Sequence, residues 1–407
     1  SEAARPSGPS DRVQKALIVV ALLIPLVVAV IVAATLLQRG QAARSELDAL
    51  WAQAQAQWQE AQTTADPAVA RTHLTGAQQA LDDLFERDAN YPGAADLRSS
   101  VRTRLDVINN VQRITSSDVL NSYPANAKLS RVVVQGVHIF VMDRQNGRVY
   151  YHRLDEALDR TLDPDTRETV LVQRGTQVGG VLVGDLVDMT WMPIGPSRQK
   201  ASLVILESGG NMLDYDPATG QLVALKVAST DTWQFATLVG GHSGRFYVLD
   251  SNANQIWRYA PTPDGYALPP DEWLQEPVDL AGAVDMSIGD SIYLLYADGS
   301  ILKLTTGVPD TFQLAGWDVP PASTSALFTR PPDETQWLYL ADRGNSRIVQ
   351  ASKEGAFKQQ FRLTEGQVEE SGDALASVSS LFVDEIEGQA FVLSEQKLYL
   401  LVLPISD

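Results

Sequence analysis

The sequence predicts a mainly β molecule, a six-bladed β-propeller preceded by a single transmembrane helix and a short α-helical bundle. Three observations predict it. A run of apolar β-formers, an acidic or polar turn and a second apolar run recur six times after about residue 130; residues 16–37 are uncharged and apolar; and the stretch between carries apolar residues at helical spacing. The six phrases begin at Val137, Ser202, Arg245, Ser291, Gln336 and Gln389, and their turn positions are Asn146, Asn211, Asn254, Gly299, Asn345 and Gln396. After one long first interval the spacing settles at about 43 to 51 residues, as expected for one propeller blade per repeat. The long interval holds a charged insertion, LDEALDRTLDPDTRE, from Leu154 to Glu168.

Residues 1–15 open with SEAARPSGPSDR, small, polar and Pro-containing, and are expected to be a flexible linker or tail. Because the chain starts at Ser1, a further domain before it is an open possibility. The run ALIVVALLIPLVVAVIVAATLL, Ala16 to Leu37, can cross about 30 Å of hydrocarbon as a helix. A transmembrane helix over 16–38 is therefore expected, with the lipid bilayer as one partner. A cleaved signal peptide and a buried core helix are the competing readings, but signal cores run to about 15 residues. Pro25 is tolerated inside a membrane. Arg5, Arg12 and Lys15 precede the run while Arg39 and Arg44 follow it, which places the N-terminus in the cytoplasm and the propeller outside.

A helical stalk is expected over 45–112. Leu47, Trp51, Ala54, Trp58 and Ala61 step by four and three along one face. Asp66-Pro67 supplies an N-cap with Pro at the first helical position, and Leu74, Ala77, Leu81 and Leu84 form a second stripe. A third helix opens at Pro92 and offers Leu97, Val101, Leu105 and Ile108. Trp51 and Trp58 serve either as anchors of the bundle or as partner contacts; the stalk serves either as a spacer or as a docking module.

The propeller is expected over 114–404. Each repeat parses as four antiparallel strands; the fifth gives TSALFTR, WLYLAD, RIVQAS and FKQQFRL, separated by turns rich in Pro, Gly and Asn. Asn146-Gly147, Asp298-Gly299 and Thr219-Gly220 provide residues that tolerate positive φ in tight turns. The sixth repeat has only three strands before the chain ends, and residues 114–123 are unclaimed by the first. That segment is expected to pair with Lys397 to Leu403 on the outer edge of blade six and to close the ring.

In FVMDRQNGRVYY, YVLDSNANQIWRY and YLADRGNSRIVQ an apolar strand ends in Asp, and an Asn follows before an apolar and a basic residue. These phrases resemble the NHL family of six-bladed propellers, over about residues 115 to 404. The resemblance rests on Asp143 and Asn146, Asp250 and Asn254, and Asp342 and Asn345; the other three repeats have Glu207, Ala297 and Ser394 at the Asp position. These Asp and Asn residues are read as structural, because a short acidic or amide side chain caps a turn and orders its backbone amides. The order of linker, span, helices and propeller also resembles the C-terminal half of bacterial membrane-bound PP2C-type phosphatases and receptor kinases. That resemblance implies a sensor or regulatory half whose catalytic domain lies upstream.

Net charge is −18, which argues against a nucleic-acid partner, since phosphate binding needs clustered Lys and Arg. There is no cysteine, hence no disulfide and no thiolate metal site. The four histidines, His73, His138, His152 and His242, show no zinc-ligand spacing, and Asp163, Asp165 and Glu168 lack the calcium-loop pattern, so no metal is assigned. Ser208-Gly209-Gly210 and Gly240-Gly241 lack the Lys-Ser/Thr of a phosphate loop and read as hairpin turns. YDPATGQL, from Tyr215, is similar to a quinone-propeller repeat but occurs once, so no cofactor is assigned. No polar cluster for the channel and no catalytic residue can be nominated. Tyr266, Trp273 and Trp317, in Pro-rich stretches between strands, are the candidate partner contacts, with packing between blades as the alternative. The expectation is a non-enzymatic, membrane-anchored binding or scaffold module with a protein or envelope partner.

Overall fold

The computed structural model describes residues 23, 27, 28, 41, 43–162, 169–317 and 319–405, in two compact units, Ser1–Ile108 and Asn109–Asp407. Most of the apolar run at 16–37, and Asp163, Asp165 and Glu168 of the insertion, lie outside the described residues. Leu23, Val27 and Val28 are helical and exposed. Among the described residues no helix is long and apolar enough to cross a membrane.

The first unit is built from three helices: α1 (43–63), α2 (Pro67–Arg87) and α3 (Ala94–Ile108). Asp66 caps α2, its Oδ1 accepting from Ala68 N at 2.8 Å, with Pro67 at the first turn where a missing N–H costs nothing. The expected stripes meet in one core: Ala54 and Ala61 from α1, Leu74, Ala77, Leu81 and Leu84 from α2, and Val101 from α3 are all buried. Trp51 and Trp58 are half-buried and pack against that core, Trp51 tilted on Tyr91 at 5.7 Å. The third helix starts two residues later than expected, because Gly93 at φ 79° takes the turn.

The second unit is a ring of six antiparallel sheets. Their innermost strands are Leu129–Gln135, Leu186–Met192, Ala236–His242, Ala283–Ile288, Thr324–Phe328 and Val378–Asp384, blades one to six in chain order. Blade two is completed by Ser202–Glu207, Met212–Asp216 and Gln221–Val227, and blade five by Leu338–Asp342, Arg347–Ala351 and Phe357–Leu363, matching the repeat grammar strand for strand. Alternate side chains of each strand fill the space between neighbouring blades, so the core is a chain of apolar clusters around the ring.

The N-terminal side of the domain closes the ring. Ser117–Ser122 runs antiparallel to Lys397–Val402 as the outer strand of blade six, with Ser117 opposite Leu401 and Ser122 opposite Lys397. Residues before it depart from the expected course. Val111–Ile114, divided between stalk and propeller in the sequence reading, is a strand that extends blade five in parallel, opposite Gln360 to Leu363. The chain thus touches blade five and blade six in succession, and no covalent bond is needed to hold first and last blades together.

Candidate functional site

Every innermost strand carries the same irregularity. One extra residue, Ser130, Val187, Thr237, Val284, Ser325 or Ser379, interrupts the register with the second strand of its blade. Such a β-bulge re-aims the side chains that follow it. The next residues are Arg131, Asp188, Leu238, Asp285, Ala326 and Ser380. From blades two, four and six, Asp188 Oδ2 accepts from Val239 N at 3.0 Å, Asp285 Oδ2 from Leu327 N at 2.8 Å, and Ser380 Oγ from Val132 N at 3.0 Å. Each polar side chain therefore stitches its blade to the next around the axis.

Arg131 joins two of them. Its Nε and Nη2 donate to the two oxygens of Asp188 at 2.9 and 3.0 Å, and its Nη1 donates to Asp285 Oδ1 at 2.6 Å. Asp285 Oδ1 also accepts from Met286 N at 2.8 Å. Burial alone would lower the guanidinium's pKa; the two carboxylates overcome it and hold it above its ordinary value. All four carboxylate oxygens thus accept hydrogen bonds from within the ring. The sequence reading nominated no such cluster. The signal was present as Val187-Asp188-Met189 and Val284-Asp285-Met286, a charge inside two otherwise apolar innermost strands.

Arg131 is also the floor of a cavity of about 570 Å³ at the ends of the innermost strands. Val133, Met189, Trp191, Met286, Ile288, Phe328 and Phe382 wall it, and Asp333 and Glu334 stand at its lip. Arg330 lies over the Phe382 and Phe328 rings at 5.1 and 5.9 Å and is held by Glu334 at 2.8 Å. Its carbonyl accepts from Lys353 Nζ at 2.7 Å. Burial pushes Lys353 below the usual ammonium range, opposed by Asp290, Glu385, Glu354 and Asp333. His242 lines the same mouth. Burial holds its imidazole below the ordinary value and Arg245 adds to this, while Glu334, Asp290 and Asp333 pull it up.

Gly240 and Gly241 belong to this site, in correction of their reading as a hairpin turn. They lie within the innermost strand of blade three, where a Cβ on Gly240 would meet Ile288 and one on Gly241 would collide with Met192 Sδ and Trp191 O. Glycine is required there by the approach of neighbouring blades. Ser208-Gly209-Gly210 is a turn as expected.

The candidate partner contacts fare differently from one another. Tyr266 is fully buried, its OH donating to Gly244 O at 3.3 Å, so a partner cannot reach it. Its Pro-rich segment folds back, and Gly265–Tyr266 pairs in parallel with Lys226 and Val227 of blade two. Trp273 is half-buried, edge-on to Tyr247 at 6.1 Å. Trp317 is half-buried, stacked on Phe357 at 6.2 Å, with the Arg347 guanidinium 5.9 Å from its ring. It also lines a second cavity of about 460 Å³ with Phe312, Leu314, Pro320 and Pro321. None of the three lines the channel mouth.

The turn residues do more than cap a hairpin. Asp143 accepts from Asn146 N and Nδ2 at 3.2 and 2.6 Å and from Lys128 N at 2.9 Å, the residue leading into the innermost strand. Asp250 binds Gln234 N and Phe235 N at 2.7 and 2.9 Å, and Asp342 binds Ala322 N at 2.8 Å. Glu207 does the same for Gly184 N at 3.0 Å with a longer side chain. Asn254 Oδ1 reaches Leu280 N at 3.0 Å, and Asn345 Nδ2 donates to Asp342 and to Pro320 O. Each pins the start of its own or the following blade. Arg347, fully buried, adds an ion pair to Asp342 at 2.8 Å.

The other histidines have local partners: His73 with Gln57 and Glu60, His138 with Tyr151, His152 with Tyr123. Among the described residues no three His, Asp or Glu side chains are grouped to hold a metal ion.

No protein-family model matches the chain, and no curated protein matches it. Solved propellers are similar to it at a distance. A protein of unknown function from Bacteroides thetaiotaomicron is 12% identical, with 70% of this chain and 75% of that one covered and a TM-score of 0.44. Regucalcin, a calcium-binding protein from Agrobacterium tumefaciens, is 12% identical over 72% and 95%, with a TM-score of 0.44. YCF48 bound to D1 peptide is 12% identical over 72% and 100%, with a TM-score of 0.43. At this distance no residue, ligand or activity carries across, and the site stands on its own geometry.

Proposed function

We propose that the chain is a non-enzymatic binding module, held at a membrane by residues 16–37, whose propeller lies on the extracytoplasmic side and docks a protein or envelope partner at the channel mouth. The observation that carries the binding site is the mouth itself: a cavity of about 570 Å³ that mixes apolar and polar side chains above the Arg131 ion pairs. Ligand pockets are concave and combine apolar side chains with a few placed polar groups. In the floor every carboxylate oxygen of Asp188 and Asp285 already accepts a hydrogen bond. That supports binding rather than catalysis. The apolar length of residues 16–37 and the Arg5, Arg12, Lys15 flank support the anchor and its orientation.

Site-specific photo-crosslinking tests the docking face. Ile194 and Ile386 are exposed on loops between innermost and second strands, and Val402 is exposed on the third strand of blade six. A crosslinker at 194 or 386 should trap one partner stoichiometrically, and one at 402 should not. Adducts from 402 alone would move the interface away from the mouth. Protease added to right-side-out vesicles should digest residues after 40; full protection would reverse the topology.

A further inference from the structure

The loops that surround the mouth are not uniform in charge. Those of blades four, five and six carry Asp290, Asp333, Glu334 and Glu387, all exposed, against one cation, Arg330, which is paired with Glu334 at 2.8 Å. Those of blades two and three carry Arg198, Lys200 and Arg245. Two of these cations are already committed inside the protein: Arg198 and Lys200 bind the buried Asp214 at 2.7 and 2.8 Å. The field at the opening is therefore negative on the side of blades four to six. It extends to blade three, where Glu334, Asp290 and Asp333 pull up the imidazole of His242. Below the charges the walls include apolar side chains, among them Met189 and Met286, which adapt their shape to what enters.

We propose that the mouth takes a basic, extended peptide segment, in which Lys or Arg side chains meet Asp290 and Asp333 while an aliphatic side chain between them enters the cavity. This rests on the mouth being the docking face and names the chemistry of its partner. Charge complementarity selects the sign, since an acidic strand or an anionic lipid surface would be repelled by the same carboxylates. The apolar side chains in the wall, Met189, Met286, Ile288 and Phe382, select the aliphatic side chain, since a purely cationic chain would leave them wet. An extended segment presents alternate residues to opposite sides, which lets cationic and aliphatic groups engage rim and cavity together.

The test uses the full chain in a non-ionic detergent and three acetylated, fluorescein-labelled hexapeptides: alternating lysine and leucine, alternating glutamate and leucine, and alternating lysine and serine. Anisotropy should show binding of the lysine–leucine peptide, weakened about tenfold by Asp290→Asn with Asp333→Asn, weakened by added salt, and at least tenfold tighter than binding of lysine–serine. Because both substituted residues are exposed, the melting temperature of the double variant should equal the parent's. Equal or tighter binding of the glutamate peptide overturns the proposal, as does a lysine–leucine affinity untouched by the double variant. If that happens while crosslinks from 194 and 386 persist, the docking face stands and the basic partner falls; if both fail, the docking face falls too.

Discussion

Replacing Arg131 with Leu removes the cation that bonds directly to two blades' carboxylates and leaves both of them in place. At an effective dielectric of about 20, unit charges about 4 Å apart attract by about 4 kcal/mol, and Arg131 sits within that range of both Asp188 and Asp285. Part of this is offset by desolvation of the guanidinium and by repulsion between the carboxylates. Breaking one side of a buried ion pair costs about 3–5 kcal/mol. For a unit of about 300 residues, unfolding entropy near 2.1 cal/mol/K per residue converts this to a fall of roughly 5–8 °C in melting temperature. Tryptophan fluorescence follows the transition. A triple variant, Arg131→Leu with Asp188→Asn and Asp285→Asn, should regain most of the loss, because the amide oxygens still accept from Val239 N and Leu327 N. A melting temperature for Arg131→Leu within 1 °C of the parent would refute the reasoning, and so would a triple variant no better than the single one.

Ring closure predicts that Ser122→Cys with Lys397→Cys, directly opposite each other in a chain with no other cysteine, forms a disulfide on air oxidation, seen as a gel-mobility shift. Pairing Ser122→Cys with Val402→Cys should not, and the reverse result would displace the register. Asp342→Ala should lower stability by about 3–5 kcal/mol by stranding the buried Arg347, against about 1–3 kcal/mol for Asp143→Ala, which strands only amides; urea midpoints rank the two. Trp317→Ala should cost at least about 2 kcal/mol through lost packing on Phe357, and partner capture scored at matched stability shows whether the ring also binds. His138 and His242 are both held below the ordinary imidazole value, first by burial. Below about pH 6.5 the unfolded chain takes up protons that the folded one refuses, so stability rises with pH through that window and falls as pH drops below it. His138→Gln with His242→Gln should flatten that slope, measured as melting temperature against pH.

How much of this was legible in the sequence depends on whether the cause is local. The blades could be parsed because each hairpin writes its own turn, as at Asn146-Gly147, and because alternation marks each strand. The closing strand at Ser117–Ser122 followed from counting, since three strands at the end leave one edge open. The channel floor was not legible in the same way. Arg131, Asp188 and Asp285 lie 57 and 97 residues apart, and only the ring brings them to one axis. Tyr266 misled for a related reason. An aromatic in a Pro-rich stretch reads as exposed, yet its neighbour Gly265, at φ 124°, lets the backbone turn back against Lys226 and bury the ring.

The repeated bulge explains how six blades come to share one hydrogen-bonded network on the axis. Six equivalent strands, each re-aimed by one extra residue, bring six equivalent positions to the axis. Small residues at all six would leave an open channel. Here three positions are polar and bond to the next blade, one is the arginine that joins two of those, and Leu238 and Ala326 fill the remainder. The Arg131 network thereby lies at the base of the mouth. The same bonds tie blade two to three, four to five and six to one, so the floor is also a seam of the ring. Substitutions there should alter ring stability and mouth geometry together, whereas changes at Asp290 or Asp333 should touch recognition alone. That separation is what allows docking and folding to be measured independently in this molecule.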